Sequence, residues 1–223
     1  MERLEFQMST HTDKDIKCSS HRACRFRRLI LLFLSITIII LDQISKWMIM
    51  EKITRPFASD VSFFQWYMQD AEIVHGSSIY ITPFFNIVLA WNTGVSFSLF
   101  NQIGSSGPFI LSAVALIIVC IFIYLLTKAA HFSYALGYAL VIGGALGNVI
   151  DRLRFGAVID FLDIHLYGYH WPAFNVADIA VVSGIGILIF ASLFFDICTK
   201  ERYRGNMNQD ECGDNEYDED HDY

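Results

Sequence analysis

With 223 residues, 54% of them hydrophobic and 17% charged, this chain is too apolar for an ordinary soluble domain and too short to wrap its apolar helices in polar ones. Its formal net charge of −7 resides largely in the tail after Arg204, where Asp210, Glu211, Asp214, Glu216, Asp218, Glu219, Asp220 and Asp222 cluster, so it describes a solvated end. Cys18, Cys24, Cys120, Cys198 and Cys212 fall in the tails or within apolar runs without paired spacing, which suggests neither a disulfide framework nor a zinc site.

In chain order, residues 1–28 are mixed in charge and lack periodicity, so they are expected to form a cytoplasmic extension without a fold of its own, ending in a basic anchor. Four runs are long enough to cross a hydrocarbon core of about 30 Å, which takes roughly 20 apolar residues. They are Leu29–Met50, Phe109–Leu126, Phe132–Ile150 and Val176–Ile197. The first follows Arg25, Arg27 and Arg28 as a secretion signal would. It is too long for one, Asp42 and Lys46 interrupt it, and no small-residue cleavage site follows, so it is expected to stay in the mature protein.

Basic residues in short flanks favour the cytoplasmic side. Arg22, Arg25, Arg27 and Arg28 precede the first span, Lys128 and His131 lie between the second and third, and Lys200, Arg202 and Arg204 follow the fourth. Both termini are therefore expected inside, with an acidic tail over 199–223 and two outer segments at about 51–108 and 151–175. Arg152 and Arg154 run against the rule and are outvoted.

The first outer segment divides into a mixed stretch, 51–78, and a Tyr-, Ile-, Phe- and Val-rich stretch, 79–100, that predicts short strands. Pro83 suits an edge or entry position and Asn92-Thr93-Gly94 a turn. Phe63, Phe64, Trp66 and Tyr67 fit either the headgroup layer or a packed loop.

Ionised groups inside a bilayer cost about 2.5–3.5 kcal/mol on insertion scales, so each one needs a partner or a role. Asp42 and Lys46, four apart on one helix face, suggest a neutralising pair inside the bundle, a strut in preference to a catalytic group. The third span carries Gly137, Gly143, Gly144, Ala145 and Gly147, which predicts a closely packed helix. At its end Asn148, Asp151 and Arg152 suit helix capping and ligand contact equally.

Asp160 sits in the apolar stretch Ala157-Val158-Ile159-Asp160-Phe161-Leu162, where desolvation favours the neutral acid. Asp178 lies in the first turn of the fourth span, near the positive helix end that favours an ionised carboxylate. Two carboxyls in unlike surroundings can divide acid and base roles. On these residues alone the alternatives are a catalytic pair, structural capping, a proton or ion pathway, a metallopeptidase built on Asp160, Asp163, His165 and His170, and a non-catalytic scaffold.

Five blocks then occur in order: Leu41-Asp42-Gln43-Ile44-Ser45-Lys46, Asn92-Thr93-Gly94-Val95-Ser96-Phe97, the run from Gly143 to Arg152, Gly156-Ala157-Val158-Ile159-Asp160-Phe161, and Phe174-Asn175-Val176-Ala177-Asp178. Over about 29–198 the chain resembles the lipoprotein signal peptidases, aspartyl peptidases of the bacterial inner membrane. The resemblance implies an all-α membrane protein of four transmembrane helices with a small extracytoplasmic β cradle and a short amphipathic helix. It implies that Asp160 and Asp178 are the catalytic pair, and that Asn92, Gly94, Asn148, Arg152 and Asn175 line or support the substrate groove. Asp151 becomes a supporting neighbour, and Asp42 and Lys46 hold the bundle.

The implied reaction removes signal peptides from prolipoproteins on the amino side of a diacylglyceryl-modified cysteine. One carboxylate takes a proton from water and the other carboxyl protonates the oxyanion, without a metal, cofactor or covalent intermediate. Membrane lipids and lipid-modified prolipoproteins are the expected partners, nucleic acid is not, and a monomer is expected. Two features depart from the family pattern. Val95 and Ser96 replace smaller residues, which bears on the cradle's shape, and the stretch from Asp42 to Asn92 is longer than usual.

Overall fold

The computed structural model describes the backbone of residues 2–54, 61–68, 78–94, 106–129 and 131–213, and the side chains of 26–52, 61–68, 78–94, 106–129 and 131–194. Val95 and Ser96, and the acidic tail from 214 on, lie outside the described residues. Four helices are long and apolar enough to cross a membrane, with spanning parts Phe26–Lys52, Gly107–Lys128, Phe132–Phe155 and Val176–Phe194. Two of them run past the expected bounds. α1 is continuous over Glu2–Thr54, through the stretch expected to lack a fold, and α5 over Val176–Gly213, into the expected tail. The four prolines are Pro56, Pro83, Pro108 and Pro172, so neither extension meets one. A helix nucleated in a span propagates until something stops it.

Local chemistry sets the other ends. α3 (Gly107–Lys128) begins with Pro108 in its first turn, where a missing N–H costs nothing. α4 (Phe132–Phe155) stops at Gly156, whose φ of 69° is left-handed and whose N–H donates to the Arg152 carbonyl at 3.0 Å.

α4 packs against each of the other three spans. Its glycines make this possible: a Cβ on Gly143 would lie 2.8 Å from the Ser35 carbonyl of α1, and one on Gly144 would fall on the Ala177 carbonyl of α5. Lipid gives helices no hydrophobic reason to associate, so such close backbone packing carries the assembly. Ser35 adds a hydrogen bond across α1 and α4, donating from Oγ to the Ala139 carbonyl at 2.7 Å. Outward-facing residues such as Phe33, Ile117, Val182 and Phe190 are exposed and apolar, as a lipid-facing surface requires.

At the end of the bundle where α4 stops and α5 starts lies a four-stranded antiparallel sheet, ordered β1-β2-β3-β4: Ser78–Thr82, Phe85–Asn92, Val158–Leu166 and Tyr169–His170. Strands at 78–92 match the expectation, but Pro83 does not enter a strand. It occupies the turn between β1 and β2, where Thr82 pairs with Phe85, because its fixed φ suits the first central position of a tight turn. The larger correction concerns the second outer segment. Residues 158–166, expected as loop, form β3 and pair with β2 along its length; a short apolar run bounded by glycine is what a strand buried on both faces looks like.

Of the two readings of the Phe63–Tyr67 aromatics, the structure shows a packed helix, α2 (Phe63–Met68), capped reciprocally by Ser62 and Gln65. Trp66 joins Met50, Val61, Leu89 and Ile159 in a core under the sheet, while Phe64 and Met68 stay exposed. The Arg154 guanidinium lies 4.2–4.4 Å from the rings of Trp66, Tyr67 and Phe155 and donates to the carbonyls of Trp66 and Tyr67, which pins α2 to the end of α4.

Candidate active site

β3 carries Asp160 into the middle of the sheet opposite Ala90, and the side chain is 2% exposed. Its Oδ2 accepts from Asn92 Nδ2 at 3.0 Å and its Oδ1 from Asn175 Nδ2 at 2.8 Å. Burial, then the charge of Asp178, push its pKa up to about 7, against the opposing pull of the Asn92 and Asn175 amides and of Lys46. Asn92 is itself oriented by the turn after β2: its Oδ1 accepts from the Gly94 N–H at 2.9 Å. Gly94 has φ of +80°, and a Cβ there would strike Leu111, so conformation and space both call for glycine.

Asp178 reaches the same place from the other side. Asn175 and Asp178 form a reciprocal cap at the start of α5: the Asp178 N–H donates to Asn175 Oδ1 at 2.9 Å, and the Asn175 N–H to Asp178 Oδ2 at 3.2 Å. Asn148, from α4, donates from Nδ2 to Asp178 Oδ1 at 2.8 Å and accepts from Asn175 Nδ2 at 3.2 Å. The amides of Asn175 and Asn148 thus link one aspartate to the other. Beside them a cavity of about 330 Å³ is lined by Ala90, Trp91, Asn92, Thr93, Asp160, Pro172 and Ala173. Its lining is mostly small side chains, with the Trp91 ring and the Asp160 carboxyl.

A second acidic group sits just beneath. Lys46 Nζ lies 2.7 Å from Asp42 Oδ2 and 2.7 Å from Asp151 Oδ2, and all three side chains are fully buried. The expected pair is therefore a trio, since Asp151 joins Asp42. Gln43, which the sequence reading passed over, donates from Nε2 to Asp151 Oδ1 at 2.8 Å. An amide on a membrane span beside a charged pair was the available signal.

Arg152, in the last turn of α4, stands in the field of Asp178, Asp151 and Asp160, with its buried Nε unpartnered. Asp163 points away from these groups: it accepts from Asn86 Nδ2 at 3.0 Å and contacts His170 Nδ1 at 2.9 Å, while the His165 and His170 rings stack. Among the described residues no group of three His, Cys, Asp or Glu is disposed to hold a metal ion, so Asp160, Asp163, His165 and His170 do not converge as ligands.

Comparison with known proteins agrees across sequence and structure. A family model described as signal peptidase (SPase) II matches residues 34–194. A lipoprotein signal peptidase of Serratia marcescens is 40% identical over 129 residues, covering 58% of this chain and 75% of that protein. One from Francisella tularensis subsp. novicida is 44% identical over 131 residues, covering 57% and 81%. A solved bacterial membrane enzyme, determined by the in meso method at 2.3 Å resolution, superposes with a TM-score of 0.56 at 26% identity, covering 74% of this chain and 87% of its own.

Proposed function

The chain belongs to the signal peptidase II family, aspartic peptidases that remove signal peptides from prolipoproteins, and on that premise we propose that Asp160 and Asp178 are its catalytic pair. The observation that carries this reading is the bridge of Asn175 and Asn148 amides between two carboxyls beside an open cavity. Asp160 holds the shared proton, in keeping with a pKa near 7, and Asp178 is the base. Water bound between them gives a proton to Asp178 as its oxygen attacks the scissile carbonyl. Asp160 gives its proton to the developing oxyanion. The resulting diol collapses as the amine leaves with a proton, and no covalent intermediate forms.

Cleavage falls on the amino side of a diacylglyceryl-modified cysteine, so the lipid must reach the site from the bilayer. The sheet end of the bundle then faces outward and both termini face the cytoplasm, as the basic flanks suggest. Asn92, Gly94, Asn148, Arg152 and Asn175 orient the pair and the peptide. The peptidase unit spans about 29–198, works as a monomer among membrane lipids, and calls on no cofactor.

Asp160→Asn and Asp178→Asn test the assignment. Each variant should insert and fold yet leave a lipid-modified prolipoprotein uncleaved, with turnover lower by about 10²–10⁴-fold, the span of positioned acid or base catalysis. Wild-type turnover by either variant refutes the pair.

A further inference from the structure

The Lys46 trio touches the protein at two places that matter for the reaction, and both are backbone N–H groups. Asp42 Oδ1, the oxygen not used by Lys46, accepts from the Ala177 N–H at 3.0 Å. Asp151 Oδ2 accepts from the Ile159 N–H at 3.1 Å as well as from Lys46. Ala177 immediately precedes Asp178, and Ile159 immediately precedes Asp160. One buried ammonium therefore spaces two carboxylates, and each carboxylate holds the N–H of the residue just before one of the proposed catalytic groups.

A strut between helices would need only the contact of α1 with α4. The bonds to Ala177 and Ile159 go further, to the start of α5 and into β3. The surroundings are fitted to them. Ala177 and Ile159 have no measurable exposure. A Cβ on Gly147 would stand 2.8 Å from Asp42 Oδ2 and 3.2 Å from the Ala177 Cβ, so glycine there leaves room for this carboxylate to meet this N–H. Gln43 fixes Asp151 through its second oxygen, leaving Oδ2 for Ile159 and Lys46.

We infer that Lys46, Asp42 and Asp151 are positioning residues for the peptidase reaction, setting the separation of Asp160 and Asp178 through the N–H groups of Ile159 and Ala177. The inference rests on the reading of Asp160 and Asp178 as the catalytic pair. Misplacement of reacting groups by about 1 Å can cost on the order of 100-fold in rate, so the hold need not touch substrate to matter.

The test compares an isosteric amide with an apolar residue of similar size at each carboxylate, in the full-length protein in lipid nanodiscs. Asp151→Asn and Asp42→Asn keep an oxygen that can accept the backbone N–H; Asp151→Leu and Asp42→Leu do not. Cleavage of a synthetic diacylglyceryl prolipoprotein peptide is measured, with active sites titrated by a non-cleavable lipopeptide so that kcat refers to folded enzyme. The Leu variants should lose about 100-fold in kcat with KM within about twofold, and the Asn variants should recover most of that loss.

Equal losses in Asn and Leu variants, losses confined to KM, or no loss would overturn the inference, because a strut responds to charge and not to the backbone acceptor. Should the Leu variants fail to fold, Gly147→Ala decides: it keeps every charge, but its Cβ, 2.8 Å from Oδ2 and 3.3 Å from Cγ of Asp42, displaces the carboxylate that holds both Lys46 and the Ala177 N–H. A kcat loss of about tenfold at constant KM is then expected, and unchanged kcat overturns the positioning role. Asp160→Asn and Asp178→Asn run alongside. Turnover by these two breaks the catalytic assignment itself, an outcome separate from any behaviour of the trio.

Discussion

Two groups of aspartates, Asp42 with Asp151 and Asp160 with Asp178, are linked through the backbone at Ala177 and Ile159, and their surroundings differ. Asp42 and Asp151 face a lysine, have no exposure, and spend their remaining oxygens on backbone N–H groups and on Gln43. Asp160 and Asp178 accept hydrogen bonds from neutral amides while Arg152, and for Asp160 Lys46, act on them through charge, and a cavity opens beside Asp160. Asp160, buried and crowded by Asp178, exchanges its proton near neutrality. The same side chain is thus locked in a buried salt bridge in one group and set beside neutral amides and a cavity in the other.

The sharpest way to break this contrast is to measure stability and activity for both groups. Asp160→Asn should remove turnover by the factor given above while leaving the melting temperature of the detergent-solubilised protein within a few degrees of wild type, since asparagine still fills the site. Lys46→Met should lower the melting temperature strongly and, through lost positioning, kcat as well. It leaves two buried carboxylates facing each other, a defect that costs about 3–5 kcal/mol when one partner of a buried pair is removed. Thermal unfolding followed by circular dichroism separates the two. Equal destabilisation by both variants would erase the distinction between a structural and a reactive group.

Proton exchange supplies the next test. The folded-state pKa of Asp160 is raised from 3.8 to about 7, through burial and then Asp178, so the folded protein binds this proton more tightly than the unfolded chain. The resulting stability is complete below about pH 4 and is lost as pH rises through about 7. For the proposed catalytic pair the consequence is a basic limb: kcat/KM should fall as pH passes about 7 and Asp160 loses the proton it would give the oxyanion. Activity that stays flat to pH 9 would deny Asp160 the acid role.

How far these features could be read from the chain depends on whether they are local. Four apolar runs announce four spans, because spanning a bilayer is a property of contiguous sequence. Asn175 and Asp178 sit three apart before an apolar run, the spacing of a cap, and the structure forms that cap. β3 was missed because Val158–Leu166 has little alternation: its first half is buried on both faces, and periodicity cannot separate such a strand from a loop or a helix fragment.

Asp151 and Gln43 were undervalued for a different reason. Asp151 meets Lys46 and Gln43 across more than a hundred residues of chain, and no spacing rule reaches that far. The bond from Asp42 to Ala177 spans 135 positions. The resemblance carried the choice of Asp160 and Asp178 over Asp151; in the structure Asp151 forms a salt bridge with Lys46, whereas Asp160 and Asp178 are hydrogen-bonded by Asn92, Asn148 and Asn175.

A third aspartate calibrates the contrast at its weak end. Asp163 is held by Asn86 and His170 on the side of the sheet away from the proposed pair, and His170 is 55% exposed. Burial pushes its pKa up, but hydrogen bonds from His170 and Asn86 and the charges of His170 and His165 outweigh it, leaving the carboxyl below its ordinary value. Its contribution is therefore present above about pH 4 and is lost as pH falls through that lower value. With one partner in solvent, His170→Gln should cost no more than about 1 kcal/mol at neutral pH, less in high salt, and should not alter kcat or KM. The same variant, assayed with and without a chelator, tests the metallopeptidase alternative. Loss of turnover on replacing His170 or on chelation would transfer the chemistry to this loop; unchanged turnover leaves Asp163 an acid that neither locks the bundle nor exchanges the catalytic proton.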